Sequence, residues 1–468
     1  MNFTRSLLIS SLALGGLSGC GPGSSFSRTP VSLPADWKNA ANFPVASPSR
    51  DLSRWWNRFD DPTLSRIISD ALQNSPDMAS ASARVREAQA RRNAEAASNL
   101  PFIQGTTSAG TSTSSNDGFG SDSNSNYAAG INASWEADLF GKRKSSIEAA
   151  TAQIGASQEN FNSVQAALAS EIGITYTQLR VNEAALQVLY RTIKTREETT
   201  QLATWRTQAG EADSLESSQA ISSLEQARAA VPSLLQTIAQ ARNQLALLAG
   251  QNPGSLDGRL ASGKQAIPDP ARSLAVGIPA DTIRQRPDVR LAGYQLLAAA
   301  ANVRAADAER YPSLNLTGTL SINTITSGNL FNPETAASGL IAGLSGPIFD
   351  AGRIRSNIEA QSAVEEQAFQ TYRSTVLTAL SEVENSLIAC RRTTERLATL
   401  EKATAAAREA AGLAQQSYEA GETDILTVLD AQRSLLGLES SLFSARADRT
   451  NSYIQLYKAL GGGWSAGL

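Results

Sequence analysis

The sequence predicts an α+β membrane fold made of two tandem repeats, each with a pair of strands and a pair of long helices. Three observations lead to this prediction. The chain matches itself at a constant offset of 211 residues, for example from Pro76 to Pro287. Apolar residues recur every seven positions in one long segment. Two other segments alternate between apolar residues and mostly polar ones.

The composition excludes several functional classes. The 468 residues include no histidine and two cysteines, which excludes a Ser-His-Asp or Cys-His nucleophile and a histidine metal ligand. The formal net charge of −3 does not suggest nucleic-acid binding. We therefore expect no catalytic residue, no metal site and no cofactor. No segment has the eighteen or so consecutive apolar residues of a membrane helix, so any crossing must use strands.

The first 19 residues have the features of a signal peptide. Arg5 supplies a positive charge, and a short apolar stretch follows from Leu7 to Leu14. This stretch is too short to span a membrane as a helix. We therefore predict that residues 1–19 are removed on export.

Cys20 is the predicted lipidation site. It follows Leu17-Ser18-Gly19, which resembles the bacterial lipobox, whose cysteine is lipidated and becomes the mature N-terminus. The alternative is a plain secretory signal with a chance cysteine. Gly21 stands where an aspartate would signal inner-membrane retention, so the resemblance indicates the outer membrane. Residues 20–62 then form a lipid-anchored N-terminal segment.

The internal repeat defines the remaining domains. Because one offset serves helices and loops alike, the two copies agree even in loop length. We predict a first repeat over 63–250, an equatorial linker over 251–273, a second repeat over 274–461 and a C-terminal tail over 462–468. The matching residues include Gly141 with Gly352, Ser170-Glu171 with Ser381-Glu382, Ala209-Gly210-Glu211 with Ala420-Gly421-Glu422, and Gly250 with Gly461.

Each repeat is predicted to hold a short helix, two strands, a very long helix and a returning helix. A helix from Lys142 to Gln208 would be roughly 100 Å long, and Ile172, Leu179, Leu186 and Ile193 give it a heptad seam. Cys390 corresponds to Leu179 and is predicted to be a core residue. The other predicted helices are Pro76–Asn99, Asp213–Leu248, Pro287–Arg310, Arg353–Glu419 and Asp424–Leu460.

Two segments alternate as membrane strands do. From Leu314 to Asn323 apolar residues alternate with Asn, Thr and Ser, and the segment from Tyr127 to Glu136 behaves similarly. About ten residues suffice for a tilted strand to cross a bilayer, with Leu316 and Leu320 toward lipid and Thr317 toward a lumen. Segments starting at Phe102 and Ala337 alternate less cleanly. The stretches 115–126 and 324–335 are predicted to be exposed loops.

Four strands cannot close a barrel alone. An open sheet edge in lipid would leave N–H and C=O groups unpaired, so several chains must close the sheet together. Three copies would supply twelve strands, which suits a narrow channel. The helical layer also needs partners to cover its apolar face, so we expect an oligomer.

Several short motifs carry a family resemblance: Trp55-Trp56, Phe59-Asp60-Asp61-Pro62-Thr63-Leu64, Ala71-Leu72, Ser75-Pro76-Asp77, Arg286-Pro287-Asp288-Val289, Tyr418, Gly421 and Leu429-Asp430-Ala431-Gln432-Arg433-Ser434-Leu435. With them the chain resembles the TolC-like outer membrane factors, in the lipoprotein branch paired with multidrug efflux pumps. The resemblance implies a homotrimer with a twelve-stranded outer-membrane β-barrel, continued by a periplasmic α-helical coiled-coil barrel. It also implies a periplasmic adaptor and an inner-membrane transporter of the RND type as partners.

The resemblance also assigns residues. It implies that Leu426 and Asp430 line the closed aperture as an apolar and an acidic ring, whereas Gln219 takes the place of Asp430 in the first repeat. Tyr418 matches a tip tyrosine that helps to hold TolC closed, although Thr423 stands where TolC has a basic partner. The adaptor-docking tip comprises Gly210, Glu211, Ala212, Asp213, Tyr418, Gly421, Glu422, Thr423 and Asp424.

Other functions are weaker alternatives. An enzyme is disfavoured by the missing histidine and by the lack of a Walker A motif. A coiled-coil tether lipoprotein would explain the helices and Cys20 but not the alternating strands. Within the channel class, type I protein secretion is the alternative to small-molecule efflux, and the lipid anchor favours efflux.

Overall fold

The computed structural model describes residues 32–40, 52–115, 121–270, 279–324 and 336–464. The predicted signal peptide and Cys20 therefore lie outside the described residues, as do 271–273 of the predicted linker and 465–468 of the predicted tail. Within the described ranges, no helix is both long enough and apolar enough to pass through a membrane.

The described elements follow the same order in both halves of the chain. The first half contains α1 (Pro62–Asn74), α2 (Pro76–Ala97), β1 (Phe102–Ser115), β2 (Ser121–Ala137), α3 (Lys142–Gln208) and α4 (Ser214–Leu248). A short helix, α5 (Asp257–Ser262), precedes the second half. The second half contains α6 (Pro279–Gln285), α7 (Pro287–Ala308), β3 (Ser313–Thr324), β4 (Ala336–Ser345), α8 (Arg353–Glu419) and α9 (Ile425–Ala459).

The two long helices have the predicted bounds. α3 and α8 contain 67 residues each, or roughly 100 Å at 1.5 Å per residue. Each starts directly after a glycine in the left-handed conformation, Gly141 at φ 78° and Gly352 at φ 85°. The returning helices α4 and α9 contain 35 residues each. α1 and the 3-10 turn Trp55–Phe59 were not predicted.

The helices pack as one layer. α3 contacts α2, α4, α7 and α9, while α8 contacts α7 and α9. The shorter helices thus lie beside the long ones. Along the predicted heptad seam, Ile172 and Leu179 are fully buried, and Leu186 packs against the same core. Cys390 is buried as predicted, and burial raises the pKa of its thiol to about 11.

The two halves carry one pair of equivalent salt bridges with exchanged charges. Between α3 and α4, Glu197 accepts from Arg228 at 2.7 Å. At the equivalent positions of α8 and α9, Arg408 donates to Glu439 at 2.5 Å. The acidic residue therefore lies on the long helix in the first half and on the returning helix in the second.

The four strands form one antiparallel sheet in the order β1-β2-β3-β4. Directly paired residues share a face, and one face carries the row Ile103–Ala133–Gly318–Leu340. The next row on the other face is Gln104–Asn132–Thr319–Gly339. The sheet therefore has a mainly apolar and a mainly polar face. Phe102 and Ile341 are exceptions, because they share the row of Ser134 and Thr317 on the polar face.

The predicted loop over 115–126 is wrong for most of its length. Ser115 is the last residue of β1, and β2 already starts at Ser121. The Ser, Asn and Asp residues there predicted a loop, but backbone pairing with β1 extends the hairpin, with Thr111 opposite Ser125. Ladder hydrogen bonds use only the backbone, so composition alone did not show this extension. Of the second predicted loop, 325–335 lie outside the described residues.

A core at mid-height joins the N-terminal segment to both halves. The ring of Trp55 stacks on Tyr457 of α9 with centroids 5.6 Å apart and planes 9° from parallel. Glu384 of α8 accepts from the backbone N–H groups of Lys38 and Asn39 at 2.7 and 3.1 Å. Trp37 is also buried, in the core cluster that contains Val383 and Leu387 of α8.

Truncating Trp55 should destabilise the chain strongly. Its side chain is fully buried, so Trp55→Ala is expected to lower the free energy of unfolding by about 3–5 kcal/mol. Guanidinium denaturation followed by circular dichroism measures this change. Trp205→Ala is the matched control, since Trp205 is 59% exposed. Equal losses in the two variants would contradict the packing assigned to Trp55.

Candidate functional site at the helix turns

The α3–α4 and α8–α9 turns have the same backbone geometry. Gly210 and Gly421 adopt φ values of 77° and 75°, which favour glycine over residues with a Cβ atom. In the first turn, Gly210 N–H donates to Thr207 O at 3.1 Å and Glu211 N–H to Arg206 O at 2.9 Å. The second turn repeats this pair of bonds, so both long helices end in a Schellman motif.

An aspartate starts each returning helix. The Asp213 carboxylate accepts from Leu215 N–H at 2.9 Å, and the Asp424 carboxylate accepts from Thr427 N–H at 2.9 Å. The Thr427 backbone N–H, followed by its hydroxyl, lowers the pKa of Asp424 below its usual value. Both residues are therefore helix caps, and both side chains remain exposed.

Tyr418 connects the two halves beside the turns. Its side chain is fully buried, and its hydroxyl donates to the Glu216 carboxylate of α4. The Arg206 guanidinium of α3 lies over the Tyr418 ring, 4.9 Å from its centroid. Burial, and then the Glu216 carboxylate, raise the pKa of Tyr418 to about 12, so at neutral pH the phenol is a neutral donor. We call Tyr418, Glu216 and Arg206 the tip lock.

A small apolar cluster supports the tip lock. It consists of Tyr418, Ile425, Val428 and Leu429, and Leu202 of α3 packs against it. The cluster therefore joins the first half of the chain to the second at this end of the helices. Burial of apolar surface in such a cluster favours the joined state.

The structure places the predicted constriction residues on the outside of the isolated chain. Leu426 is 48% exposed, in contrast to its buried neighbours Ile425 and Val428. The Asp430 side chain is 70% exposed and accepts from Arg433 Nη1 at 2.9 Å. The one acidic residue of the predicted constriction, Asp430, thus has a cation one helical turn away.

Sequence reasoning named Tyr418 but missed Arg206 and Glu216. Glu216 lies three residues after the cap Asp213, a spacing that normally indicates a capping box. That local spacing gives no reason to expect a partner 202 residues away. Among the described residues, no group of three or more cysteine, aspartate or glutamate side chains is placed to hold a metal ion.

Comparisons with known proteins agree on one family. The chain matches the family described as outer membrane efflux protein over residues 67–251 and 278–462. It is 32% identical over 412 residues to the solvent efflux pump outer membrane protein SrpC of Pseudomonas putida, covering 87% of each chain. It is 31% identical over 485 residues to the pyoverdine export outer membrane protein OpmQ of Pseudomonas aeruginosa, covering 100% of this chain and 98% of that one.

The fold agrees as well. The solved structure of the outer-membrane channel OprN matches with a TM-score of 0.86 at 29% identity. The match covers 94% of this chain and 98% of that chain.

Removing the Tyr418 hydroxyl should loosen the turns. A net hydrogen bond contributes about 0.5–1.5 kcal/mol, so Tyr418→Phe should speed backbone amide exchange near the α8–α9 turn about threefold to tenfold. Hydrogen-exchange mass spectrometry measures this at neutral pH. The contribution should persist up to about pH 10 and be lost as the pH rises toward 12, where the folded-state phenol ionises. Tyr190→Phe, at a 46% exposed side chain, is the control. Unchanged exchange in Tyr418→Phe would contradict the tip lock.

Proposed function

The chain belongs to the outer membrane efflux protein family, and we propose that it is the outer-membrane channel of a tripartite efflux system. In this role it passively conducts drugs or other small molecules from a periplasmic adaptor and an inner-membrane pump to the outside. One observation carries the proposal: a sheet with an apolar and a polar face continues into helices roughly 100 Å long. The efflux and export roles in the names of SrpC and OpmQ favour efflux over protein secretion.

The open sheet edges support closure by further copies. β1 and β4 are the outer strands of the sheet, and they run antiparallel to each other because the three pairings between them alternate in direction. β4 of one copy can therefore pair with β1 of the next in an antiparallel ladder. In lipid such pairing is required, since unpaired backbone groups are costly there. Three copies would give a barrel of twelve strands.

The exposed side chains support the assignment of the faces. Ile103, Leu320, Leu340 and Leu344 lie on the apolar face and are between 51% and 81% exposed in the single chain. On the polar face, Asn132 Nδ2 of β2 donates to Thr106 Oγ1 of the neighbouring strand β1 at 3.4 Å. We therefore assign the apolar face to lipid and the polar face to a water-filled lumen.

The helical layer extends from the barrel into the periplasm in this proposal. Its far end carries the two Schellman turns, whose exposed residues Glu211 and Glu422 are free to contact an adaptor. Leu426 and Asp430 would surround the axis just above this tip. The partners are a periplasmic adaptor and an inner-membrane transporter of the RND type. Signal-peptide removal at Cys20 and its lipidation belong to the same proposal.

Bilayer recording tests the function directly. The chain, extracted in detergent, should run as a trimer by native mass spectrometry and conduct ions in planar bilayers. A monomer without conductance would refute the channel and favour the tether.

The lipid anchor is tested at its only predicted site. Intact mass spectrometry of the mature protein should find a lipidated N-terminal Cys20, and Cys20→Ala should abolish this modification. The Trp37 and Trp55 contacts do not depend on the lipid, so the helical layer should still fold. An unmodified N-terminus in the unsubstituted protein would refute the anchor.

The sheet faces predict opposite tolerance of charge. Leu320→Arg places a charge on the lipid-facing side and should cost about 2–4 kcal/mol near the bilayer midplane, which should sharply reduce assembled trimer. Thr319→Arg, the adjacent residue on the polar face, should cost little. Trimer yield in isolated outer membranes measures both. Equal losses would mean that the faces are assigned wrongly.

The aperture prediction concerns Asp430. Asp430→Ala would remove three carboxylates from the axis and leave the three Arg433 guanidinium groups nearby. We expect higher single-channel conductance and weaker block by divalent and trivalent cations. Gln219→Ala at the equivalent position removes no charge and should change cation block less. Unchanged conductance and block in Asp430→Ala would place this residue away from the constriction.

A further inference from the structure

The two hairpins of the sheet have the same register. Ile103 pairs with Ala133 in the first hairpin, and the residues 211 positions further on, Leu314 and Leu344, pair in the second. The offset between the two halves of the chain therefore holds for the strand pairing as well as for the helices.

The junction between the hairpins predicts how two copies would pair. Within the chain, β2 pairs with β3 in a register that ends with Ala137 opposite Leu314. In a closed ring of copies, the equivalent junction joins β4, the counterpart of β2, to β1 of the next copy, the counterpart of β3. The 211-residue offset then places Ile348 opposite Ile103 of the next copy.

The strand ends agree with this register between copies. It sets Ser115, the last residue of β1, opposite Ala336, the first residue of β4. β1 has 14 residues and β4 has 10. The remaining residues of β1, 102–105, therefore face the segment 346–349, which follows directly after β4.

Among the described strands, none pairs with the segment 346–349. Its counterpart in the first half includes residues 135–137, which belong to β2 although they pair with β3 only. One neighbouring strand is therefore enough to keep this part of the backbone extended. For residues 346–348 the equivalent neighbour is β1 of another copy, and in the single chain these residues lie in no strand.

The segment also carries exposed apolar side chains. Ile348 is fully exposed and Phe349 is 89% exposed, while Ile103 and Phe102 are 65% and 62% exposed. Large apolar groups exposed together indicate a surface that another molecule covers. The register brings Ile348 to Ile103 and Phe349 to Phe102, so each side chain receives an apolar partner.

Both pairs agree in the face of the sheet on which they lie. In an extended strand Ile348 lies on the same face as Leu344, the apolar one, as Ile103 does. Phe349 then lies on the polar face, as Phe102 does. Lipid could cover Ile348, but it does not reach Phe349 on the opposite face. A second copy accounts for both side chains.

We propose that residues 346–349 extend β4 only when a second copy is present, by pairing with residues 102–105 of that copy. The inference rests on the proposed channel, whose copies meet through β4 and β1. Pro347 has no N–H to donate, so the added ladder bonds use the N–H groups of Gly346 and Ile348. The opposed aliphatic and aromatic side chains then stabilise the junction.

Paired cysteines test the register. Ile103→Cys/Ile348→Cys should give disulfide-linked trimers after mild oxidation of the detergent-extracted protein, read on a non-reducing denaturing gel. The bond must join two copies, because three strand spacings, roughly 14 Å, separate β1 from β4 of one chain, and a disulfide spans at most about 7 Å between Cα atoms. Thr107→Cys/Leu344→Cys tests the same register within β4 itself and should also crosslink.

The control is Gly105→Cys/Ile348→Cys, which keeps the face and shifts the register by two residues. Its Cα atoms would lie about 7–8 Å apart, too far for a disulfide. Crosslinking of this control in place of Ile103→Cys/Ile348→Cys would refute the register. If only Thr107→Cys/Leu344→Cys crosslinks, residues 346–349 do not extend β4 and the proposal is overturned.

Truncating the two side chains measures their contribution. Ile348→Ala/Phe349→Ala should raise the dissociation constant of the extracted trimer about tenfold or more, because cross-strand apolar pairs are lost at three junctions. Dilution followed by native mass spectrometry measures this constant. Leu320→Ala is the control, since it removes a lipid-facing side chain from an inner strand. Equal effects would overturn the proposal, and a monomeric unsubstituted chain would refute the channel together with this junction.

Discussion

The structure depends on fixing how far the shorter helices lie along α3 and α8. The core around Trp55 fixes these positions. Trp55 stacks on Tyr457 of α9, while the fully buried Arg180 of α3 donates to Glu183 at 2.6 Å and to Leu260 O at 3.1 Å. Glu183 also accepts from Arg242 of α4 at 2.8 Å. A buried guanidinium without partners would be costly, so these bonds fix where α5 and α4 lie along α3. The positions of the helices at both ends of the molecule therefore depend on this core.

The two ends of the molecule are held together differently. At one end, backbone hydrogen bonds form a sheet with one mainly apolar and one mainly polar face. At the other end the helices are joined only through side chains, so the residues that face each other determine how strongly the helices associate. The same 211-residue offset that makes the halves alike in backbone allows them to differ in side chains. Where Ile425, Val428 and Leu429 stand in one half, serines stand in the other.

Much of this architecture could be predicted from the sequence, because it rests on periodic patterns. The C-terminal ends of α3 and α8 could be predicted because a glycine, Gly210 or Gly421, follows shortly after each helix. The strand faces followed from alternation around Leu320. The extension of β2 back to Ser121 did not, because its residues are typical of loops and only the pairing with β1 orders them. The tip lock was also out of reach, since Arg206, Glu216 and Tyr418 are brought together by the packing of separate helices.

The exchanged salt bridges bear on how such a chain avoids misfolding. The two long helices have equal length, and so have the two returning helices, so a hairpin could form wrongly. In one error α9 takes the place of α4 beside α3, and in the other α4 takes the place of α9 beside α8. The first error would set Glu197 opposite Glu439, and the second would set Arg408 opposite Arg228. Like charges at such positions repel by a few tenths of a kcal/mol, and each correct pair attracts by a similar amount. The charges at these four positions therefore favour pairing α4 with α3 and α9 with α8 in the two hairpins.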